Sequence, residues 1–97
     1  MALIEKLWDE KAICVNAAAE YCGWQQIGVA VKKSFDAWGS SGHRFRQRQP
    51  PLIHHRMVRF AWEMVGVDGQ TAVSRGTSFI TLSDEGRILS DHQFVEA

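Results

Sequence analysis

At residue 43 the spacing of apolar side chains changes from a helical period to a strand period, and that change dictates one long helix followed by a sheet. Before it, Trp24, Ile27, Val31, Phe35 and Trp38 recur at steps of three and four, while Gln25, Lys32, Lys33 and Asp36 fall off that stripe. Gly39, followed by Ser-Ser-Gly, supplies the expected left-handed stop. Burying these large side chains is worth on the order of 10 kcal/mol before entropy costs, so the stripe needs a sheet to pack on. After residue 43, His43 to Arg48 alternates strictly, with Arg44, Arg46 and Arg48 on one face.

The sheet continues to the end of the chain. Pro50-Pro51 interrupts the first ladder, because proline has no N–H to donate. Leu52 to Val65 reads as one long strand, Thr71 to Ser83 as the next and Arg87 to Val95 as the last, with turns at Val67-Asp68-Gly69 and Ser83-Asp84-Glu85-Gly86. Upstream, Leu3, Leu7 and Trp8 give residues 2–9 a short amphipathic helix, residues 11–16 read as a strand and the stretch after them as a connector. The expected class is α+β: a strongly curved antiparallel sheet wrapped around one long helix plus a short N-terminal helix, a cone-shaped barrel. With 97 residues the chain has room for one core, so residues 1–97 read as a single domain.

Composition narrows the partners. The net charge is zero, but residues 37–62 hold five arginines and no acid, whereas residues 63–97 hold six acids and two arginines. Paired as neighbouring strands, these segments neutralise each other, so the arginine row is not read as a nucleic-acid surface. Cys14 and Cys22 match no zinc or CxxC spacing, and His54 and His55, adjacent in a strand, would point apart; neither a metal nor a cofactor is expected. No apolar run is long enough for a membrane span and no signal peptide opens the chain, which gives a cytoplasmic expectation.

The C-terminal half resembles the nuclear transport factor 2-like superfamily, near its small bacterial SnoaL-like polyketide cyclases. The residues that carry the resemblance are Val58-Arg59-Phe60-Ala61-Trp62-Glu63, Gly76-Thr77-Ser78-Phe79-Ile80-Thr81-Leu82, Asp84-Glu85-Gly86-Arg87-Ile88 and Phe94. Upstream, Glu20-Tyr21-Cys22-Gly23 with Gln26-Ile27 looks like the loop into the family's pocket-flanking helix. The resemblance implies a cone with a ligand cavity between helix and sheet, and often a sheet-to-sheet dimer. Family members usually begin with one or two longer helices that close the cone, so this cavity is expected to be open or covered by a partner chain. Ketosteroid isomerase-like members use an aspartate base, and the strand Ala12-Ile13-Cys14-Val15-Asn16 offers no carboxylate.

Strand alternation sorts the side chains onto two faces. Val58, Phe60, Trp62, Gly76, Ser78, Ile80, Leu82, Ile88, Ser90, His92 and Phe94 share the parity assigned to the concave, helix-facing side. Trp24, Ile27, Val31, Phe60, Trp62, Ser78 and Ser90 are therefore the expected ligand contacts, and His92 is the candidate catalytic base. The opposite parity carries Met57, Arg59, Ala61, Val73, Arg75, Phe79, Leu89 and Asp91, an apolar patch set with charges that reads as a homodimer interface. Asp91 is expected there in an ion pair with Arg59 or Arg75. Two functions fit these patterns. One is binding of a small apolar molecule, with isomerase, cyclase or hydrolase chemistry at His92. The other is a non-catalytic homodimeric module whose cavity is filled by its own side chains.

Overall fold

A computed structural model describes residues 2–96. The element order is α1 (Ala2–Leu7), β1 (Trp8–Val15), β2 (Glu20–Cys22), α2 (Gly23–Ala37), a 3-10 turn (Gly39–Ser41), β3 (Arg44–Gln47), β4 (Leu52–His54), β5 (Met57–Val65), β6 (Ala72–Leu82) and β7 (Ile88–Glu96). The seven strands form one sheet in the order β2-β1-β7-β6-β5-β3, with β4 also paired to β5. One long helix and a short N-terminal one lie with a single sheet, so the α+β expectation holds.

The meander β5-β6-β7 forms as its turn residues require. Asp68 accepts from the backbone N–H groups of Gln70 and Thr71 and from the Thr71 hydroxyl, and these bonds hold its carboxyl down at about 2. Gly86, at φ 80°, takes the left-handed position of the second turn.

Four details depart from the sequence reading. The expected strand 52–65 is a hairpin: Leu52 pairs with Arg59 and His54 with Met57, across a turn in which His55 adopts φ 57°. A non-glycine residue in that region carries no sequence signal of its own. The connector before α2 holds β2, which pairs antiparallel with β1, Cys14 opposite Tyr21. The helix stop is Gly42 at φ 89°, one 3-10 turn beyond Gly39. Gly39 is small for another reason, since a Cβ there would sit 2.7 Å from the Phe35 ring. Finally, the sheet is not wholly antiparallel, because β1 runs parallel to β7, with Cys14 beside Asp91.

The core lies where α2 crosses β1: Trp8, Ala12, Cys14 and Ile27 are buried, and Ile4, Tyr21, Trp24 and Ile88 pack against them. Trp24 also donates its indole N–H to the Trp8 carbonyl at 2.8 Å, tying helix to strand. Only the first part of the helical stripe is buried. Ile27 is 1% exposed, but Val31, Phe35 and Trp38 are 49%, 60% and 45% exposed. The far half of α2 stands off the sheet, and the space beneath it is a cavity.

Two register shifts set which side chains face that space. Ser74 is opposite Met64, yet Ala72 is opposite Val65, so Val73 is an extra residue in β6. Ser90 is opposite Thr81, yet Ile88 is opposite Leu82, so Leu89 is an extra residue in β7. Each such bulge reverses the alternation beyond it.

Candidate functional site

The Leu89 bulge inverts the expected faces of β7. In the ladder Gln93 lies opposite Ser78 and Asp91 opposite Ile80, so these side chains share a face with Phe60 and Trp62. Asp91, Gln93 and Val95 line the cavity, while His92 and Phe94 are exposed on the outer side, where His92 pairs with Phe79. His92 is therefore not a cavity group, and Ser90 leaves the cavity with it. Asp91 cannot serve the outer interface, being 7% exposed and turned to the inner face. Val73, displaced by its own bulge, also lines the cavity rather than the outer sheet.

The cavity is a trough of about 1350 Å³ between the far half of α2 and the inner sheet, open to solvent. Ile27, Val31, Phe60, Trp62 and Ser78 line it as expected, but Trp24 belongs to the core beside Trp8. Its own side chains do not fill it. The alternation of β5 and β6 brought those contacts within reach of the sequence. Missed were Cys14 and Trp8 on β1, Phe45 on β3, and Asp91 and Gln93 on β7. The consecutive apolar pair Ile88-Leu89 is the one signal in the sequence that the alternation breaks there.

Most of the lining is apolar, and the polar groups gather at one place. Trp62 donates its indole N–H to the Ser78 hydroxyl at 3.1 Å, and both residues are buried. Gln93 donates its amide to Asp91 Oδ2 at 2.9 Å and lies 3.7 Å from the Cys14 sulfur. Asp91 Oδ1 is buried with no hydrogen-bond partner among the described residues.

Burial pushes the Asp91 carboxyl above the ordinary aspartate range; the Gln93 bond, the charge of neighbouring His92 and the Ser78 hydroxyl offset part of that rise. Burial, and then the charge of Asp91, push the Cys14 thiol up to about 11. The thiol is thus held neutral and poorly nucleophilic. A buried carboxyl with a raised proton affinity and one uncommitted oxygen has the chemistry of a group that accepts and returns a proton. Among the described residues, no three His, Cys, Asp or Glu side chains gather as a metal site.

The outer face is built differently. Arg46 on β3 and Arg75 on β6 flank Glu63 on β5, at 2.7 and 3.5 Å, and hold its carboxyl below the usual range. Arg48 pairs with Glu96 at 3.0 Å. Two of the three arginines in the basic row are thus occupied by carboxylates of the acidic third, and Arg75 by Glu63 rather than Asp91. Beside these pairs a shallow groove of about 560 Å³ runs over Ala61, Phe79 and Phe94, with Arg59 at its edge. Ala61 lies at its base and is 4% exposed.

No family model matches the sequence, and none of the curated proteins matches it significantly. Solved structures do. A candidate isomerase of the SnoaL-like family from Agrobacterium tumefaciens is 27% identical at a TM-score of 0.89, the match covering 99% of this chain and 80% of that one. A steroid delta-isomerase from Pseudomonas aeruginosa is 18% identical at 0.72, covering 99% of this chain and 66% of the other. A nuclear transport factor 2-like protein of unknown function from an Exiguobacterium species is 17% identical at 0.75, covering 98% and 80%. The chain has the cone fold of the nuclear transport factor 2-like superfamily, and its likeness to the SnoaL-like protein runs over its whole described length.

Proposed function

We propose that this chain binds a small, mostly apolar molecule in the trough beneath α2, and that Asp91 moves a proton to or from it. The observation that carries this reading is the uncommitted oxygen of Asp91, buried among apolar and neutral polar groups at the cavity wall. A carboxyl in such a place holds its proton more tightly than one in water, which suits a group that takes a proton from one ligand atom and returns it to another. That is the chemistry of an isomerase or cyclase, the description given to the Agrobacterium and Pseudomonas proteins supporting the first. The proton-transfer role expected of His92 passes to Asp91.

The test is solvent exchange. Cyclic ketones and enones small enough for the trough, incubated with the protein in D2O, should gain deuterium at the carbon next to the carbonyl. D91N should abolish the exchange and H92A should leave it unchanged. Exchange that survives D91N, or that H92A removes, would overturn the assignment.

A second reading concerns the outer sheet face, which we infer to be a homodimer interface. Met57, Phe79 and Phe94 are exposed there, and the two phenylalanine rings meet edge to face at 5.7 Å. A face that carries an aromatic pair and spends Arg46, Arg48 and Arg75 on internal carboxylates resembles the centre of an interface more than a solvated sheet. It excludes nothing about the trough, which opens on the opposite side of the sheet.

A further inference from the structure

We propose that the imidazole of His43 is a second polar contact of the trough, fixed to accept a hydrogen bond, and that the ligand carries a hydroxyl to meet it. The proposal rests on the reading of the trough as a ligand site. It adds the class of ligand: an elongated apolar molecule that ends in an alcohol or a phenol.

The proton on His43 follows from donor and acceptor counting in the loop before β3. The Ser41 hydroxyl oxygen stands 2.9 Å from the Trp38 carbonyl oxygen and 3.0 Å from His43 Nδ1. A carbonyl can only accept, so the one hydroxyl proton goes to Trp38 and Nδ1 brings its own proton to the serine oxygen. A bare Nδ1 would leave a single proton between two acceptors. In the neutral ring Nε2 therefore keeps its lone pair. It has no hydrogen-bond partner among the described residues.

The loop holds the ring in place. The Trp38 carbonyl also accepts the backbone N–H groups of Ser41 and His43, at 3.2 and 3.1 Å, which ties the loop to the end of α2. The Trp38 ring packs on the imidazole edge to face at 5.3 Å. His43 continues the parity of Phe45, whose ring meets Trp62 on the inner face, and both residues line the trough. His43 is half-buried, so a ligand group can reach it.

The surroundings select a hydroxyl. Phe35, Trp38 and Phe45 line the trough from the same two segments, the end of α2 and the start of β3. An ammonium would be costly to desolvate against these rings, and an amide would bring a carbonyl that they leave unpaired. A carboxylate would call for a cation. Arg44 borders the trough at this point, but it has the parity of Arg46, whose guanidinium goes to Glu63 on the outer face. That leaves the imidazole as the inner polar group. Asp91 on β7 and His43 before β3 lie three strands apart in the sheet order, so a molecule that meets both carries polar groups at its two ends.

The experiment is a calorimetric binding comparison on the full chain. The probes are cyclohexanones bearing, at the carbon opposite the ketone, a phenyl, a p-hydroxyphenyl, a p-methoxyphenyl or a p-carboxyphenyl ring. The hydroxyl compound should bind about 3- to 10-fold more tightly than the phenyl and methoxy compounds, the net worth of one hydrogen bond. H43F keeps a ring against Trp38 but has no nitrogen, and it should bind the hydroxyl, methoxy and phenyl compounds alike. H43A gives the same readout where the larger ring disturbs the loop. A parent protein without the preference, or a preference that survives both variants, would overturn the proposal. So would a methoxy compound bound as tightly as the hydroxyl one, which would make Nε2 a donor, or a carboxylate bound more tightly still, which would make Arg44 the contact. Binding is read without turnover, which separates this result from the exchange test. Exchange that survives D91N, with the hydroxyl preference intact, removes the proton-transfer reading alone. Exchange that depends on Asp91, without the preference, removes the His43 contact alone. A parent protein that binds none of the probes overturns the trough as a ligand site and the hydroxyl contact with it.

Discussion

The Gln93 carboxamide donates to Asp91 Oδ2 at 2.9 Å, from two residues further along the same strand and on the same face, while its nitrogen also stands 3.7 Å from the Cys14 sulfur. One neutral donor thus serves both an acid and a thiol, and neither has an ion-pair partner among the described residues. The acid is left with an oxygen unpaired and a raised proton affinity, and the thiol with its proton in place. Each of these consequences can be measured without knowing the ligand.

The first measurement is stability against pH. Folding raises the proton affinity of Asp91, so the folded protein binds a proton that the unfolded chain has lost above about 4. Stability referred to this group is full at low pH and falls as pH rises through the folded midpoint. D91N carries no charge and escapes the loss. Denaturant unfolding should show the variant gaining on the parent across that window, levelling at about 1–3 kcal/mol, the cost of an unsatisfied buried polar group. A gain independent of pH would mean that Asp91 is not the group being desolvated.

Thiol labelling gives a second readout. With its midpoint pushed up to about 11, Cys14 holds about 100-fold less thiolate at pH 8 than a thiol at the ordinary value of 9.0. Cys22 is exposed and Cys14 buried. Peptide mass spectrometry after brief iodoacetamide treatment should therefore find Cys22 alkylated and Cys14 largely intact. In D91N, where the opposing charge is gone, Cys14 should label faster. Equal labelling of the two cysteines in the parent protein would contradict the burial and electrostatics of the trough floor.

What the sequence disclosed and what it concealed divide along the range of the interactions involved. The α2 stripe and the β5-β6 alternation are local periodicities, and Ile27, Val31, Phe60, Trp62 and Ser78 all stand where those periods put them. The face of β7 hangs on one extra residue at Leu89, for which the apolar pair Ile88-Leu89 is the only local sign in the strand. That single residue exchanged His92 for Asp91 at the site. The β4–β5 hairpin depends on His55 accepting a left-handed backbone without glycine, and the parallel β1–β7 pairing joins segments more than 70 residues apart. The expectation that the helical stripe is buried along its whole length failed because a cavity, not a core, lies beneath its second half.

Gly76 and Gly86 offer a paired test of what a glycine is for. Gly76→Ala places a methyl group 2.5 Å from a backbone oxygen and closer still to the Trp62 ring, and the backbone cannot yield cheaply. It should cost about 1–3 kcal/mol or more by overpacking, and the displaced indole should change the tryptophan emission. Gly86→Ala meets nothing within 4 Å, and its cost of about 1–2 kcal/mol comes only from the left-handed φ of 80°. Its tryptophan emission should match the parent. An emission shift in Gly86→Ala alone would reverse the account of the Trp62 ring.

The outer face makes the last prediction. Phe79 is 40% exposed and Phe94 57% exposed, and the groove over Ala61 beside them carries Arg59, which pairs with no carboxylate among the described residues. In a twofold assembly through this face the aromatic pair would sit at the centre and the Glu63 and Glu96 ion pairs near its edge. Sedimentation equilibrium should therefore find a dimer for the parent protein. Phe94→Asp places an unpaired charge at that centre and should weaken association by about 2 kcal/mol or more, roughly 30-fold, the loss typical of a central aromatic anchor. W62F, confined to the inner face, should leave the association constant unchanged. A parent protein that sediments as a monomer, or a dimer indifferent to Phe94→Asp but broken by W62F, would move the contact from the outer sheet to the open mouth of the trough. There the exposed rings of Phe35, Trp38 and Phe45 are the apolar surface that a second chain would cover.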